Sequence, residues 1–288
     1  MTGLPPEYWP NRAHSRIVEA APHRWHVQTI GDGDPVLLLH GAGASAHSWT
    51  DLITIFQAQN RLLVPDLPGH GFTRSPRGRA RLTNVAMDLA DLMNALEANP
   101  NLVVAHSAGA AVALEMVRRN LIAPDRLILV NAALEDFRGA AGVLFPVMAK
   151  MLALNPLTGL FLSSGSGSLG QVRSLIRSTG SELTDAALRP YADLVRRRAH
   201  VDGTLAMMAQ WSLAELNRAL PEIETPTLFI HGGNDTAVDT SIAKRAVSAM
   251  PNAELIVIDG VGHLAHEEAP ERVAAEIAAF AATPALAQ

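Results

Sequence analysis

The chain has 288 residues, 48% hydrophobic and 18% charged, proportions that describe a folded globular protein and exclude wholesale disorder. Its formal net charge of −5 gives a nucleic-acid partner no electrostatic footing. The complete lack of cysteine excludes disulfides, thiolate metal sites and a cysteine nucleophile in one step.

Residues 1–12 are polar and proline-rich and lack the apolar centre of a signal peptide. No run reaches the roughly 18 apolar residues of a membrane span, so the expected location is cytoplasmic, with no transmembrane segment. Residues 16–20 and 24–30 predict two short antiparallel strands, the second alternating Trp25, Val27 and Thr29 with His26 and Gln28. Residues 36–39 predict a buried strand running into His40-Gly41-Ala42-Gly43-Ala44-Ser45. The two lysines, Lys150 and Lys244, both lie outside any G-x-x-x-x-G-K-[ST] setting, so this is not a nucleotide phosphate loop. A small-residue loop does allow the Ala42 N–H to point into a site as half of an oxyanion hole.

Residues 61–65 predict the next buried strand, ending in Asp66-Leu67-Pro68-Gly69-His70-Gly71. That loop is expected beside the glycine loop, which gives Asp66 a structural role. Arg74, Arg77, Arg79 and Arg81 form a basic run that reads as a solvated loop, an anion-binding surface being the alternative. Helical spacing of Val85, Leu89, Leu92, Met93 and Leu96 predicts a helix over residues 82–98. Residues 102–106 then form a short valine-rich run that reads as a fully buried strand and stops at Ser107. A helix is predicted over 110–119. A serine at so sharp a strand-to-helix turn needs small residues two before and two after it. Gly109 meets that demand, and Ala105 stands where G-x-S-x-G has its first glycine. Another buried strand, 126–130, ends at Asn131.

Residues 134–220 carry no convincing strand and read as helices and loops rich in methionine and leucine, at 143–151, 152–162 and 204–211. A helical insertion between two strands of a parallel sheet is the pattern of a lid, and Met207 and Trp211 are expected on its substrate-facing side, a buried lid core being the commoner explanation of such methionine-rich stripes. Gly165-Ser166-Gly167-Ser168-Leu169-Gly170 matches G-x-G-x-x-G but follows no strand, so it reads as a flexible loop. Strands resume at 227–231 and 254–258, with helices at 241–249 and 270–282. The expected fold is α/β: a mostly parallel eight-stranded sheet with a helical cap after the sixth strand. The expected division is a core of 1–134 and 221–288 with a cap at 135–220.

Three polar residues each follow a predicted strand: Ser107, Asp235 and His263. Sites in open α/β sheets form at the carboxyl ends of strands, and Ser, Asp, His is the chain order of an α/β-hydrolase triad. A serine hydroxyl is a poor nucleophile at neutral pH until an imidazole takes its proton, and a carboxylate must hold that imidazole in the right tautomer. Ala42 and Ala108 are the expected oxyanion donors, and His106 is expected to line or prop the site. Asp239 and the pair Glu135-Asp136 are rival acids. His263 and His266 with Glu267 and Glu268 do not form H-E-x-x-H, so no metal or other cofactor is expected.

The whole chain resembles the α/β-hydrolase fold, and more narrowly the magnesium-chelatase accessory proteins of bacteriochlorophyll biosynthesis. The stretches that carry this include Trp9-Pro10-Asn11-Arg12, Trp25-His26-Val27-Gln28, His47-Ser48-Trp49 and Asp66 through Thr73. Further ones are His106 through Ala111, Thr179-Gly180-Ser181, Met207-Met208-Ala209-Gln210-Trp211 and Gly262 through Glu268. The lid stretches are the more specific, because lids vary widely while core motifs recur. The resemblance implies a role near magnesium insertion into a porphyrin and a chelatase contact. Two functions follow. One is a serine hydrolase of an apolar ester, a small hydrophobic molecule with a tetrapyrrole ester as the family-derived guess. The other is a non-catalytic porphyrin-binding or chelatase-docking protein with an idle triad.

Overall fold

The computed structural model describes residues 3–136 and 168–282. The helices expected at 143–151 and 152–162, and the 165–167 part of the glycine-serine stretch, lie outside the described residues.

In chain order the described elements are β1 (Ser15–Ala20), β2 (His23–Ile30), β3 (Asp34–Leu39), α1 (Thr50–Phe56), β4 (Asn60–Pro65), α2 (Leu82–Ala95), β5 (Leu102–His106), α3 (Ala108–Arg118) and β6 (Arg126–Val130). Beyond the insertion's start come α4 (Leu169–Arg177), α5 (Asp185–Val195), α6 (Arg198–Gln210), α7 (Ala214–Ala219), β7 (Thr227–Gly232), α8 (Thr240–Ala249), β8 (Ala253–Ile258), α9 (Ala265–Glu268) and α10 (Pro270–Ala282). One eight-stranded sheet runs β1-β2-β4-β3-β5-β6-β7-β8. The β1–β2 and β2–β4 pairs are antiparallel and all others parallel. No helix among the described residues is long and apolar enough to cross a membrane.

The central strands β3 to β7 are mostly apolar because both faces of the sheet are covered there, whereas the edge strands β1 and β8 are only partly buried. Successive side chains point to opposite faces, so each strand feeds two cores. Leu37, Leu39, Val103, Ala105, Leu127, Leu129 and Phe229 join the core that α2, α3 and α8 cover. Val36, Leu38, Val104, Ile128, Val130, Leu228 and Ile230 join the other, against α1 and α10.

Two helix boundaries differ from expectation for local reasons. Helix α2 stops at Ala95 because Glu97 takes a left-handed φ of 49° and the Ala98 N–H turns back to the Met93 carbonyl. Helix α3 begins at Ala108, directly behind Ser107. At the far end of the insertion, Leu213, Leu216 and Leu220 join the main sheet core, with α7 packed on α3. The expected boundary at residue 220 therefore falls inside a segment that packs with the core.

The Asp66 loop welds the sheet's carboxyl rim. The buried Asp66 carboxylate accepts from His26 Nδ1 (2.7 Å) and from the Ala46 and Phe72 amides (2.8 Å each). A Cβ on Gly71 (φ 51°) would lie 2.0 Å from Asp66 Oδ2, so only glycine lets the loop close over the carboxylate. Asp66 is structural, as its position implied. Of the basic run, Arg79 is committed to Asp88, which also holds His23.

Candidate active site

Strands β5, β6, β7 and β8 are parallel neighbours, so their carboxyl ends lie in a row along one rim. Ser107 follows β5, Asn131 follows β6, Asp235 lies just past β7, and His263 lies past β8. The loop His40 to Ser45 leaves β3, on the other side of β5. The topology thus brings Ser107 within hydrogen-bond reach of His263, 156 positions along the chain.

Ser107 sits at φ 51°, ψ −115°, a conformation that costs a non-glycine residue on the order of 1–3 kcal/mol and persists only where the surroundings enforce it. Its N–H donates to the Val130 carbonyl (2.9 Å), and its carbonyl accepts from Ala110 and Ala133. Close approach of three chain segments fixes the turn. A Cβ on Gly109 would lie 2.5 Å from the Leu39 carbonyl oxygen, and one on Gly41 would lie 2.9 Å from Ser107 Cβ. Ala105, the departure from the glycine pattern, is fully buried and its methyl is taken up by the sheet core.

A continuous hydrogen-bond chain crosses the rim. Asp235 Oδ2 accepts from His263 Nδ1 at 2.8 Å, which leaves Nε2 unprotonated to accept the Ser107 hydroxyl at 3.0 Å. The second Asp235 oxygen accepts from the Ala237 and Val238 amides at 2.8 and 2.9 Å. Burial by itself would raise the Asp235 carboxyl. The charge and hydrogen bond of His263, with donors from Val238 and Asn131, outweigh it and hold the group below the usual carboxylate range.

Asn131 is the residue that sequence reasoning missed. Fully buried at a left-handed φ of 47°, it donates from Nδ2 to Asp235 Oδ2 at 2.7 Å. Its only sequence signal is a polar residue straight after an apolar strand. The rival acids are used elsewhere. Asp239 caps α8 through the Ser241 amide, Asp136 accepts the Leu213 amide, and Glu135 pairs with Arg245.

His106 lies in the cavity wall; its Nε2–H donates to the His263 carbonyl at 2.8 Å, and the two rings lie 4.8 Å apart. Burial pushes the His106 imidazole well below its ordinary value, so it stays neutral. Ala42 lies in the cavity wall beside Ser107. Ala108 opens α3, where a first-turn N–H has no intrahelical acceptor. His266 lies over Trp49 and His106, Glu267 accepts the Tyr191 hydroxyl (2.6 Å), and Glu268 accepts the Gly262 amide. Burial drives the Glu267 carboxyl up to about 8.

Ser107 and His263 open into a cavity of about 140 Å³ between the rim and the insertion, with apolar walls from Ala44, Val172, Ile176, Val195, Met208 and Leu264. Met207 and Trp211, expected to face substrate, are not in that wall. Both pack into the sheet core, and Trp211 Nε1 donates to the Ala80 carbonyl at 2.7 Å. The α6 residues in the wall are His200, Val201, Thr204 and Met208, the last being one position on from Met207 and about 100° around the helix.

Comparison with known proteins places this fold. The family model described as the alpha/beta hydrolase family matches residues 36–276. The magnesium-chelatase 30 kDa subunit of Rhodobacter capsulatus is 41% identical over 269 residues, covering 92% of this chain and 94% of that protein. Among solved structures, a lipase described as putative from Acinetobacter baumannii AYE superposes with TM-score 0.76 at 20% identity, over 93% of this chain and 90% of that one. The 2-hydroxy-6-oxo-6-phenylhexa-2,4-dienoate hydrolase of Rhodococcus sp. strain RHA1 superposes with TM-score 0.77 at 20% identity, over 92% and 97%. The chain belongs to the alpha/beta hydrolase family, and within it is related along nearly its whole length to the Rhodobacter capsulatus protein.

Proposed function

We propose that the protein is a serine hydrolase of a neutral, apolar ester or related acyl compound, acting in association with the magnesium-chelatase step. The observation that carries the first part is the unbroken chain Ser107 Oγ–His263 Nε2 and His263 Nδ1–Asp235 Oδ2 at the mouth of an apolar cavity. In this reading Ser107 Oγ attacks the acyl carbonyl while His263 Nε2 takes its proton and then returns it to the leaving alcohol. Water attacks the acyl-enzyme by the same relay and frees Ser107. Asp235 stays ionised and holds the imidazolium. The Ala42 and Ala108 amides face the developing oxyanion, each worth roughly 3 kcal/mol of barrier.

A cavity of about 140 Å³ compares with the ~150 Å³ apolar void that holds benzene, which fits an acyl group of a few carbons better than a whole macrocycle. A tetrapyrrole substrate would therefore present a side-chain ester to Ser107. The chelatase association rests on the Rhodobacter capsulatus relative, a magnesium-chelatase subunit. It also supports the second reading, in which the fold docks on the chelatase and the triad is idle.

An alkyl fluorophosphonate is expected to add one phosphonyl group, located on Ser107 by peptide mass spectrometry. A folded protein that takes up no label removes the catalytic reading and leaves the docking one. Met208→Ala is expected to change KM across a p-nitrophenyl ester series, since Met208 lies in the cavity wall. Met207→Ala is expected to leave KM alone and lower stability by about 2–5 kcal/mol in urea denaturation, since Met207 is buried in the core. The reverse pattern would mean that the roll of α6 differs from that described.

A further inference from the structure

The turn at 178–181, between α4 and α5, belongs to the insertion, yet it lies between the two loops that carry Asp235 and His263. Gly180, at φ 82°, sits so close to the Asp235 loop that a Cβ would lie 1.9 Å from the Asn234 carbonyl oxygen. On its other side, a Cβ on Gly262 would lie 2.3 Å from the Gly180 carbonyl. The turn is a wedge between backbones, with room for neither side chain.

Hydrogen bonds tie the wedge to both loops. The Thr179 carbonyl accepts from the amides of Thr236 and His263 (3.3 Å each). The Ser178 carbonyl accepts the Thr236 hydroxyl at 2.9 Å. The fully buried Ser181 Oγ accepts the Leu264 amide at 2.8 Å. One residue further, the Glu182 amide donates to Glu268 Oε2 (3.0 Å), whose other oxygen accepts the Gly262 amide (2.8 Å). The amides of His263 and of Leu264 are thus both satisfied by the insertion, and a buried amide left without an acceptor forces its backbone to shift. Thr179 also lines the cavity, so the same turn touches the space a ligand would fill.

We propose that this turn is the positioning element of the site: through Ser181 and Gly180 the cap holds the His263 backbone where its imidazole spans Ser107 and Asp235. None of the turn's residues reacts. Their effect is on geometry, and a displacement near 1 Å at a reacting group can cost about 100-fold in rate. The proposal rests on the serine-hydrolase reading for its kinetic expression and on the described hydrogen bonds for its structural one.

The test uses the full chain with Ser181→Ala, Ser181→Thr and Gly180→Ala, assayed with p-nitrophenyl butyrate and an alkyl fluorophosphonate. Ser181→Ala is expected to lower kcat and the rate of Ser107 labelling together by about 10–100-fold, with KM within about two-fold. Ser181→Thr, which keeps the acceptor oxygen, restores most of the loss, and Gly180→Ala falls further than Ser181→Ala. A parallel NMR readout follows the downfield His263 Nδ1 proton held against Asp235, which broadens or disappears in Ser181→Ala. A change in KM alone, or a rate loss matched by the unfolded fraction in a thermal melt, overturns the proposal. If the wild type neither labels nor hydrolyses, the hydrolase reading fails. The NMR signal then decides the positioning role alone, and an unchanged resonance in Ser181→Ala overturns it.

Discussion

Ser107→Ala is expected to cut kcat for p-nitrophenyl butyrate by a factor on the order of 10⁴–10⁶ while the protein melts at the wild-type temperature or above. The fold should tolerate the change. Ser107 gives its backbone to the turn through Val130, Ala110 and Ala133, while its hydroxyl is spent on His263. Alanine at φ 51° is no less strained than serine there, and the enforcing contacts at Gly41 and Gly109 remain. His263→Ala should match that loss, and the double variant should lose little more, because the residues act as a unit. Asp235→Asn is the informative third case. The amide can donate to His263 Nδ1 and so favours the tautomer that carries its proton on Nε2, where it blocks the Ser107 hydroxyl. A loss of about 10⁴ is expected with structure intact. Retention of more than about one per cent of kcat by Ser107→Ala, where four decades or more of loss are expected, would assign any ester cleavage to another group. A pigment-producing host carrying Ser107→Ala separates the two functional readings: continued pigment synthesis favours docking, and its loss favours catalysis.

The second large effect is on stability. Asp66→Ala is expected to cost about 3–5 kcal/mol in urea denaturation, because it leaves a buried imidazole and two buried amides without their shared acceptor. The site loops on either side, led by Ala46 and Phe72, hang on that one carboxylate. The pH dependence has a definite sign. Burial works to raise the Asp66 carboxyl, but the neighbouring charge and hydrogen bond of His26, the charge of His40 and the Ala46 amide together hold it below its ordinary value. Its contribution is therefore complete above the unfolded-state value, near 3.9, and is lost as pH falls below about 4 toward the lower folded-state value. Stability measured from pH 6 down to pH 2 should fall more steeply for the wild type than for Asp66→Ala. Parallel curves would show that this carboxylate is not the group whose protonation weakens the fold.

Much of the site was legible because its parts are local. Buried parallel strands are short apolar runs, and a rim residue is the polar one that ends such a run, so Ser107, Asp235 and His263 were readable in order. Gly109 marked a place where backbone passes close to another segment, and a Cβ there would lie 2.5 Å from the Leu39 carbonyl oxygen. What stayed hidden depends on which neighbours the fold supplies. Asn131 looks like any strand end until β6 lies between β5 and β7, when its amide meets Asp235. The 178–181 turn carries no catalytic residue type and gains its role only by lying against two other loops.

The sequence by itself determined the strand count and the chain order of Ser107, Asp235 and His263 at strand ends, since short apolar runs and the polar residues that follow them encode these directly. Tertiary structure alone decided which of Met207 and Met208 faces the cavity, because adjacent helical residues differ only by the roll of α6, and that roll is set by packing against the core. It also decided how the insertion grips the His263 loop. Part of that contact joins backbone atoms some 84 residues apart, the Thr179 carbonyl and the His263 amide, and such groups are common to nearly every residue type.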